Sequence, residues 1–290
     1  MYVALKPAGQ IQSWTDAFTR HLPEAELATW EDADRSAIEY LVAWHVRPDR
    51  LASMPKLKAV LLVGAGYDHL DLDAFGDVAV IRLTDPEMAQ DMALYCLSWV
   101  IHFQRDFDTF ARHQSDTHWE WERSVTFPND YRVGILGQGT IGSVIAQTCE
   151  HHGFPTLGWS RSANDRPLLA FFEACDLVIN VLPSTDSTHH LVGAAELAAL
   201  GDGVLVNIGR GSTVDAEALI VALDNNLRAA VLDVFPTEPL PKDSPLWRHP
   251  RLTVTPHIAG RTSPYSAAQV ISNSIRAVER GEQPAGRITS

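Results

Sequence analysis

The chain has 290 residues, 46% hydrophobic and 20% charged, a composition far from the low-hydrophobicity, high-charge corner of disordered chains. Lys and Arg total 23 against 36 Asp and Glu, a formal charge of −13, so nucleic acid and anionic membrane surfaces meet an opposing field. Any anionic ligand therefore needs a local Arg, a helix N-terminus or a nest of amides. Length suggests about two domains. Cys96, Cys149 and Cys175 form no C-x-x-C pair, which fits a reduced, cytoplasmic setting. The opening residues lack the charged and apolar regions of a signal peptide, and no apolar run is long enough to span a bilayer.

The first stretch predicts short strands at Tyr2–Lys6, Leu27–Trp30, Tyr40–Trp44, Leu57–Val63 and Val78–Leu83, punctuated by Pro7, Gly9, Pro48, Gly64 and Gly66. From Met88 to His113 the apolar residues Met92, Tyr95, Cys96, Trp99, Val100 and Phe103 recur at three- and four-residue steps, which predicts one long helix. A polar, aromatic-rich loop carrying Trp119 and Trp121 follows. A second series predicts strands at Arg132–Leu136, Thr156–Ser160, Leu177–Leu182, Gly203–Ile208, Ala230–Val234 and Leu252–Thr255, with helices at Thr140–His151 and Ala216–Asn225. Ser263–Arg280 reads as an amphipathic helix that packs back on the first domain. Strands interleaved with helices give an α/β protein with two Rossmann-like or flavodoxin-like doubly wound parallel sheets. The expected domains are residues 1–95 plus 262–290, and residues 96–261, with the active site in the cleft between them. There is no internal repeat and no low-complexity segment.

Gly137-Gln138-Gly139-Thr140-Ile141-Gly142 places G-x-G-x-x-G directly after an apolar strand and at the start of a helix. Gly137 would make the tight turn, Gly139 would let the backbone approach a pyrophosphate, and Gly142 would allow close helix–strand packing. The helix N-terminus supplies free amides to the phosphates. At the end of the next strand, where an acidic residue receives the ribose of NAD, stand Ser160, Arg161 and Ser162. An Arg flanked by hydroxyls suits the 2′-phosphate of NADP, so NADPH is expected over NADH.

Three later segments each put one ionisable residue in a Gly/Pro-rich loop after an apolar strand. These are Arg210 within Asn207–Asp215, Glu238 within Leu232–Pro241, and His257 within Thr255–Gly260. Together they suit carbonyl reduction. Arg210 would pair with a substrate carboxylate or polarise the carbonyl, His257 would donate the proton as hydride arrives, and Glu238 would hold the His and favour its charged form.

With the glycine loop, these segments resemble the D-isomer-specific 2-hydroxyacid dehydrogenase family over nearly the whole chain. The resemblance implies that Arg210, Glu238 and His257 are catalytic. It implies that Val181, Leu182, Pro183, Thr188, Ile208, Gly209, Asp233, Ala259 and Gly260 join residues 137–142 and 160–162 around the cofactor. In the first domain Leu62–Asp68 matches the family's glycine loop, so the amides of Gly64, Ala65 and Gly66 are expected at the substrate carboxylate, with Trp44 and Arg210 beside them. The glyoxylate/hydroxypyruvate reductase branch is most similar, through Ala43-Trp44-His45, residues 159–162 and Trp119. Two departures are Met88-Ala89-Gln90-Asp91, where the family commonly ends in Ala-Glu before the long helix, and a short segment between Arg161 and Cys175. The family pairs through its nucleotide domain, so a homodimer is expected, with the Met88–His113 helix and the Trp119/Trp121 loop as its contact.

Other chemistries find less support. His151-His152 and His189-His190 are adjacent rather than at i, i+4, no H-E-x-x-H occurs, and no metal is expected. Gly209-Arg210-Gly211-Ser212 is not the G-x-S-x-G of a hydrolase elbow. The alternatives to an NADPH-linked reductase of glyoxylate or hydroxypyruvate are a nucleotide-sensing, corepressor-like binding protein of the same fold and an NAD-linked dehydrogenase of another 2-hydroxy acid.

Overall fold

The computed structural model describes residues 1–7, 9–121, 126–161 and 166–288. In chain order the elements are β1 (Tyr2–Lys6), α1 (Ile11–His21), β2 (Glu26–Thr29), β3 (Tyr40–Ala43), β4 (Ala59–Leu62), β5 (Ala79–Ile81), α2 (Pro86–Gln104), α3 (Phe107–Ser115), β6 (Val133–Leu136), α4 (Thr140–His151), β7 (Thr156–Trp159), α5 (Leu168–Phe172), β8 (Leu177–Asn180), α6 (Ala194–Leu200), β9 (Val204–Asn207), α7 (Ala216–Asn225), β10 (Ala229–Leu232), β11 (Leu252–Val254) and α8 (Pro264–Glu279). They form two compact units, Met1–Met88 with Thr262–Ser290, and Ala89–Arg261. The boundary expected from sequence, 95/96, falls in the same helix, α2.

The first unit holds a sheet of order β2-β1-β3-β4-β5 and the second one of order β11-β10-β9-β8-β6-β7, with every pairing parallel. Parallel strands covered by helices on both faces need apolar residues on both faces. Accordingly β3, β4, β6, β8, β9 and β10 are buried at every position. The order reverses between β1 and β3 and between β6 and β8, and such switch points are where open α/β sheets receive ligands. In the first unit Trp14 and Phe18 of α1 share a core with Ala267, Ala268, Ile271 and Ile275 of α8, so the C-terminal helix packs on the N-terminal sheet as its amphipathic pattern predicts. In the second, α5 is only five residues long, in keeping with the short segment after Arg161.

One predicted element is corrected. The run Met88–His113 is two helices, broken at Asp106, whose φ of 54° is left-handed. Arg228 fixes the break, with Nη2 2.6 Å from both Asp106 Oδ1 and Asp108 Oδ1. Burial raises the Asp108 carboxyl, but the hydrogen bond and charge of Arg228 outweigh it and the net shift is downward. The break has no Gly or Pro because its cause lies 122 residues away in sequence.

Candidate active site

The second unit's functional side chains sit in loops at the carboxyl ends of its strands, and a row of buried polar residues shapes those loops. Asn180 ends β8, Asn207 ends β9, and Asp233 directly follows β10; all three are essentially inaccessible. Asn180 donates to Asn207 Oδ1 (3.1 Å) and Thr213 Oγ1 (2.7 Å), and accepts from the Leu182 amide (3.1 Å). Asn207 accepts from the Gly209 amide and donates to the Arg210 carbonyl, each at 3.1 Å. Asp233 accepts from the amides of Ile258 and Ala259, both at 2.8 Å, and from the Thr255 hydroxyl at 2.5 Å. Each group is satisfied, as burial requires, and each fixes the backbone of the next functional loop.

The glycine loop follows β6 at the switch point. Gly137 has φ 111°, a conformation open to glycine. A Cβ on Gly142 would lie 1.9 Å from the Gly137 carbonyl oxygen, so α4 can approach β6 this closely only with glycine there. At Gly139 a Cβ would meet nothing within 4 Å among the described residues, leaving the backbone accessible beside the free amides at the start of α4. Gln138 lies over Gly158 of β7. Arg161, exposed just beyond β7, donates from Nη2 to the Ser187 carbonyl. Ser160 is partly buried, and Ser162 lies outside the described residues. Thr188 is buried; its hydroxyl donates to the Pro183 carbonyl (2.7 Å) and accepts from the Thr185 amide (2.9 Å), bracing residues 183–188. Val181, Leu182, Ile208 and Gly209 stand on adjacent loops, for a Cβ on Gly209 would lie 2.6 Å from the Leu182 carbonyl oxygen.

The catalytic candidates lie on three successive loops. A Cβ on Gly211 would lie 2.0 Å from the Phe235 carbonyl carbon, so the Arg210 loop rests directly on the loop leading to Glu238. Glu238 Oε1 accepts from the Phe235 amide at 2.9 Å, and Oε2 lies 2.7 Å from His257 Nδ1. His257 itself has φ 55°, a left-handed conformation uncommon outside glycine. Its amide donates to the Asp233 carbonyl at 2.9 Å. Arg210 is partly buried and donates from Nη1 to the Gly209 carbonyl at 2.7 Å. Ala259 is buried and Gly260 partly so. The cysteines take no part: all three are buried, and burial pushes the thiols of Cys149 and Cys175 up to about 12, far from a reactive thiolate.

In the first unit, the loop after β4 carries Gly64, Ala65 and Gly66. The Trp44 ring lies against Gly64, where a Cβ would be 2.0 Å from Cζ3. His69 stacks near Trp44, with ring centroids 5.1 Å apart and Nε2 3.1 Å from the Trp44 carbonyl. The Leu83 amide donates to the Gly64 carbonyl at 3.0 Å.

Residues 97–259 match the family model described as the D-isomer specific 2-hydroxyacid dehydrogenase NAD binding domain. The chain belongs to the D-isomer-specific 2-hydroxyacid dehydrogenase family. Among solved dehydrogenases, one from Xanthobacter autotrophicus Py2, in complex with NADPH and MES, is 34% identical with a TM-score of 0.92, covering 99% of this chain and 98% of that one. A family protein from Klebsiella pneumoniae 342 is 30% identical over 100% of this chain and 97% of its own, with a TM-score of 0.88. An NADPH-dependent glyoxylate/hydroxypyruvate reductase from Sinorhizobium meliloti, in complex with NADP and sulfate, is 27% identical, with coverages of 99% and 98% and a TM-score of 0.90. As a member of this dehydrogenase family the protein is an NAD(P)-dependent oxidoreductase with two parallel-sheet domains.

Sequence reasoning missed Asn180 and the supporting role of Asn207. A polar residue ending an apolar strand, just before a Gly- or Pro-containing loop, was the available signal.

Proposed function

We propose that this dehydrogenase reduces small 2-oxo acids, glyoxylate and hydroxypyruvate, to D-2-hydroxy acids with NADPH. The observation that carries the reading is the Glu238–His257 pair, 2.7 Å apart, with the Glu238 loop resting against that of Arg210. The carboxylate accepts from Nδ1–H, which leaves His257 Nε2 as the proton donor to the carbonyl oxygen. The planar fork of Arg210 suits a substrate carboxylate and its neighbouring carbonyl. The amides of Gly64, Ala65 and Gly66, with the Trp44 ring, form the rest of the proposed substrate site.

The accessible Gly139 backbone and the α4 amides fit a pyrophosphate. Gln138, Thr140, Ile141, Val181, Leu182, Pro183, Ile208, Gly209, Ala259 and Gly260 complete the proposed cofactor site. Arg161 and Ser160, with Ser162, would receive the 2′-phosphate. When bound, the nicotinamide supplies the hydride. We assign Thr188 and Asp233 a bracing role at that site, since both side chains are buried and hydrogen-bonded within the protein.

The relatives crystallised with NADPH or NADP, and the Sinorhizobium reductase, support this reading. We further propose a homodimer in the cytoplasm; among the described residues no helix is long and apolar enough to cross a membrane. The deciding experiment is a panel of 2-oxo acids assayed with NADPH and NADH. Turnover of glyoxylate or hydroxypyruvate far above bulkier 2-oxo acids is expected, and preference for a bulky or branched acid would overturn the assignment.

A further inference from the structure

Helix α3 ends in a turn that folds the chain back on itself. The Thr117 amide donates to the Gln114 carbonyl (3.2 Å) and the His118 amide to the His113 carbonyl (2.8 Å), while Thr117 takes a left-handed φ of 52°. This is a Schellman closure with a β-branched residue where glycine is usual. It returns His118 over the last turn of the helix, with its ring 4.8 Å from that of His113 and nearly perpendicular to it. Glu120 arrives at the same place, its Oε2 3.6 Å from His113 Nδ1. One nitrogen from each His and one Glu oxygen all lie within 4.8 Å of one another.

His113 Nδ1 is buried and has no hydrogen-bond partner among the described residues, an arrangement that costs free energy unless something else meets it. Glu120 does not meet it as Glu238 meets His257, where the separation is 2.7 Å. A gap of 3.6 Å is too long for a hydrogen bond. It is close to the edge of a tetrahedron with bonds of about 2.0 Å, which is about 3.3 Å.

We propose that His113, His118 and Glu120 bind a divalent transition metal of the zinc class, with water in the fourth position. Two imidazoles and one carboxylate match Zn²⁺ or Co²⁺, whereas Ca²⁺ and Mg²⁺ take oxygen ligands. His118 and Glu120 are exposed, so a modest rotamer change brings His118 into coordination. The formal charge of −13 favours a cation. Bound metal ties residues 118–121 to α3, and with them Trp119 and Trp121, which are 88% and 79% exposed. The site lies outside the catalytic loops and does not depend on the activity assigned to them.

The test uses tag-free, chelator-treated full-length protein, titrated with Co²⁺ by visible absorption and with Zn²⁺ by calorimetry. A single equivalent binding at micromolar affinity, with tetrahedral Co²⁺ bands and a change in tryptophan fluorescence, is the expected result. His118→Ala and Glu120→Gln, both exposed and checked for folding by circular dichroism, should each weaken binding tenfold or more. His151→Ala should leave it unchanged. No uptake of Zn²⁺ below millimolar concentration, or equal affinity in folded His118→Ala, would overturn the proposal.

Discussion

Glu238 is held at both ends of its carboxylate: Oε1 takes the Phe235 amide, and Oε2 faces His257 Nδ1 at 2.7 Å. The imidazole is thereby oriented by a group that is itself oriented. His257→Gln should lower kcat by about 10²–10⁴, the usual span for a positioned acid or base. Glu238→Gln keeps the size but not the charge and should cost less. Steady-state kinetics decide the point, and near-normal turnover in His257→Gln removes that residue from the mechanism.

Two glycines separate binding from folding. At Gly139 a methyl group meets nothing within 4 Å, whereas at Gly211 it would press on the backbone of Phe235 and Pro236 at 2.0 and 2.3 Å. Gly139→Ala should leave the melting temperature unchanged yet weaken NADPH binding. Gly211→Ala should destabilise the protein by about 1–3 kcal/mol, as overpacking does, and lower activity by displacing Arg210. Thermal melts with nucleotide titrations separate the two, and equal melting losses would contradict this division.

Cofactor choice should rest on Arg161. In a chain of net charge −13, a 2′-phosphate is repelled unless a local cation receives it. No Asp or Glu occupies Thr156–Arg161 to bind the ribose of NADH. A charge-assisted hydrogen bond is worth roughly 1.5–3 kcal/mol, about ten- to a hundredfold. NADPH should lead NADH by at least about tenfold in kcat/KM, less so at high salt, and Arg161→Ala should erase the lead mainly through the KM for NADPH. Equal use of both cofactors by the wild type would show that Arg161 does not receive the phosphate.

Asp233 acts through its neighbours. Replacing it with Ala leaves the Ile258 and Ala259 amides without their acceptor, at about 1–3 kcal/mol for buried donors. The His257 loop loses its anchor at the same time. Asp233→Asn keeps one acceptor oxygen and should recover most of the stability while kcat stays low. A variant with wild-type kcat and lowered stability alone would make Asp233 purely structural.

Acid should weaken the first unit through Lys58. Its ammonium lies 2.8 Å from Glu279 and 3.0 Å from Glu39, and these hydrogen bonds hold both carboxyls below the usual range. Groups whose folded pKa is depressed contribute stability that is present above the ordinary carboxylate pKa and lost as pH falls through the folded value. Lys58 is 41% exposed, so screening limits the effect to about 1 kcal/mol or less. Lys58→Met should melt below the wild type at about pH 7, and the difference should shrink as pH falls through the lowered carboxyl values. A melting difference independent of pH would rule this out.

Much of the architecture was legible because parallel strands must be apolar on both faces. The runs at Tyr2–Lys6 and Leu177–Leu182 announced themselves in that way, and Thr140–His151 followed from the glycine loop before it. The break at Asp106 was not legible, since the residue that fixes it, Arg228, comes from the other end of the second unit's sequence. Nor was the approach of His118 to His113, which depends on a left-handed Thr117 where neither Gly nor Asn marks the helix end. Asn180, Asn207 and Asp233 align only once β8, β9 and β10 are paired, so their shared work is a property of the sheet rather than of any one segment.

The first unit is built from both ends of the chain, and this sets an order on its birth. A ribosome releases β1 to β5 long before Pro264–Glu279, yet Ala267, Ala268, Ile271 and Ile275 belong to the same core as Trp14 and Phe18. Until α8 emerges, the face of the N-terminal sheet that α1 covers lacks the rest of its core, while Ala89–Arg261 already contains every strand of its own sheet. The second unit can therefore mature during synthesis, whereas the first waits for the last helix. A nascent chain stalled before residue 264 would expose that apolar face to chaperones and proteases.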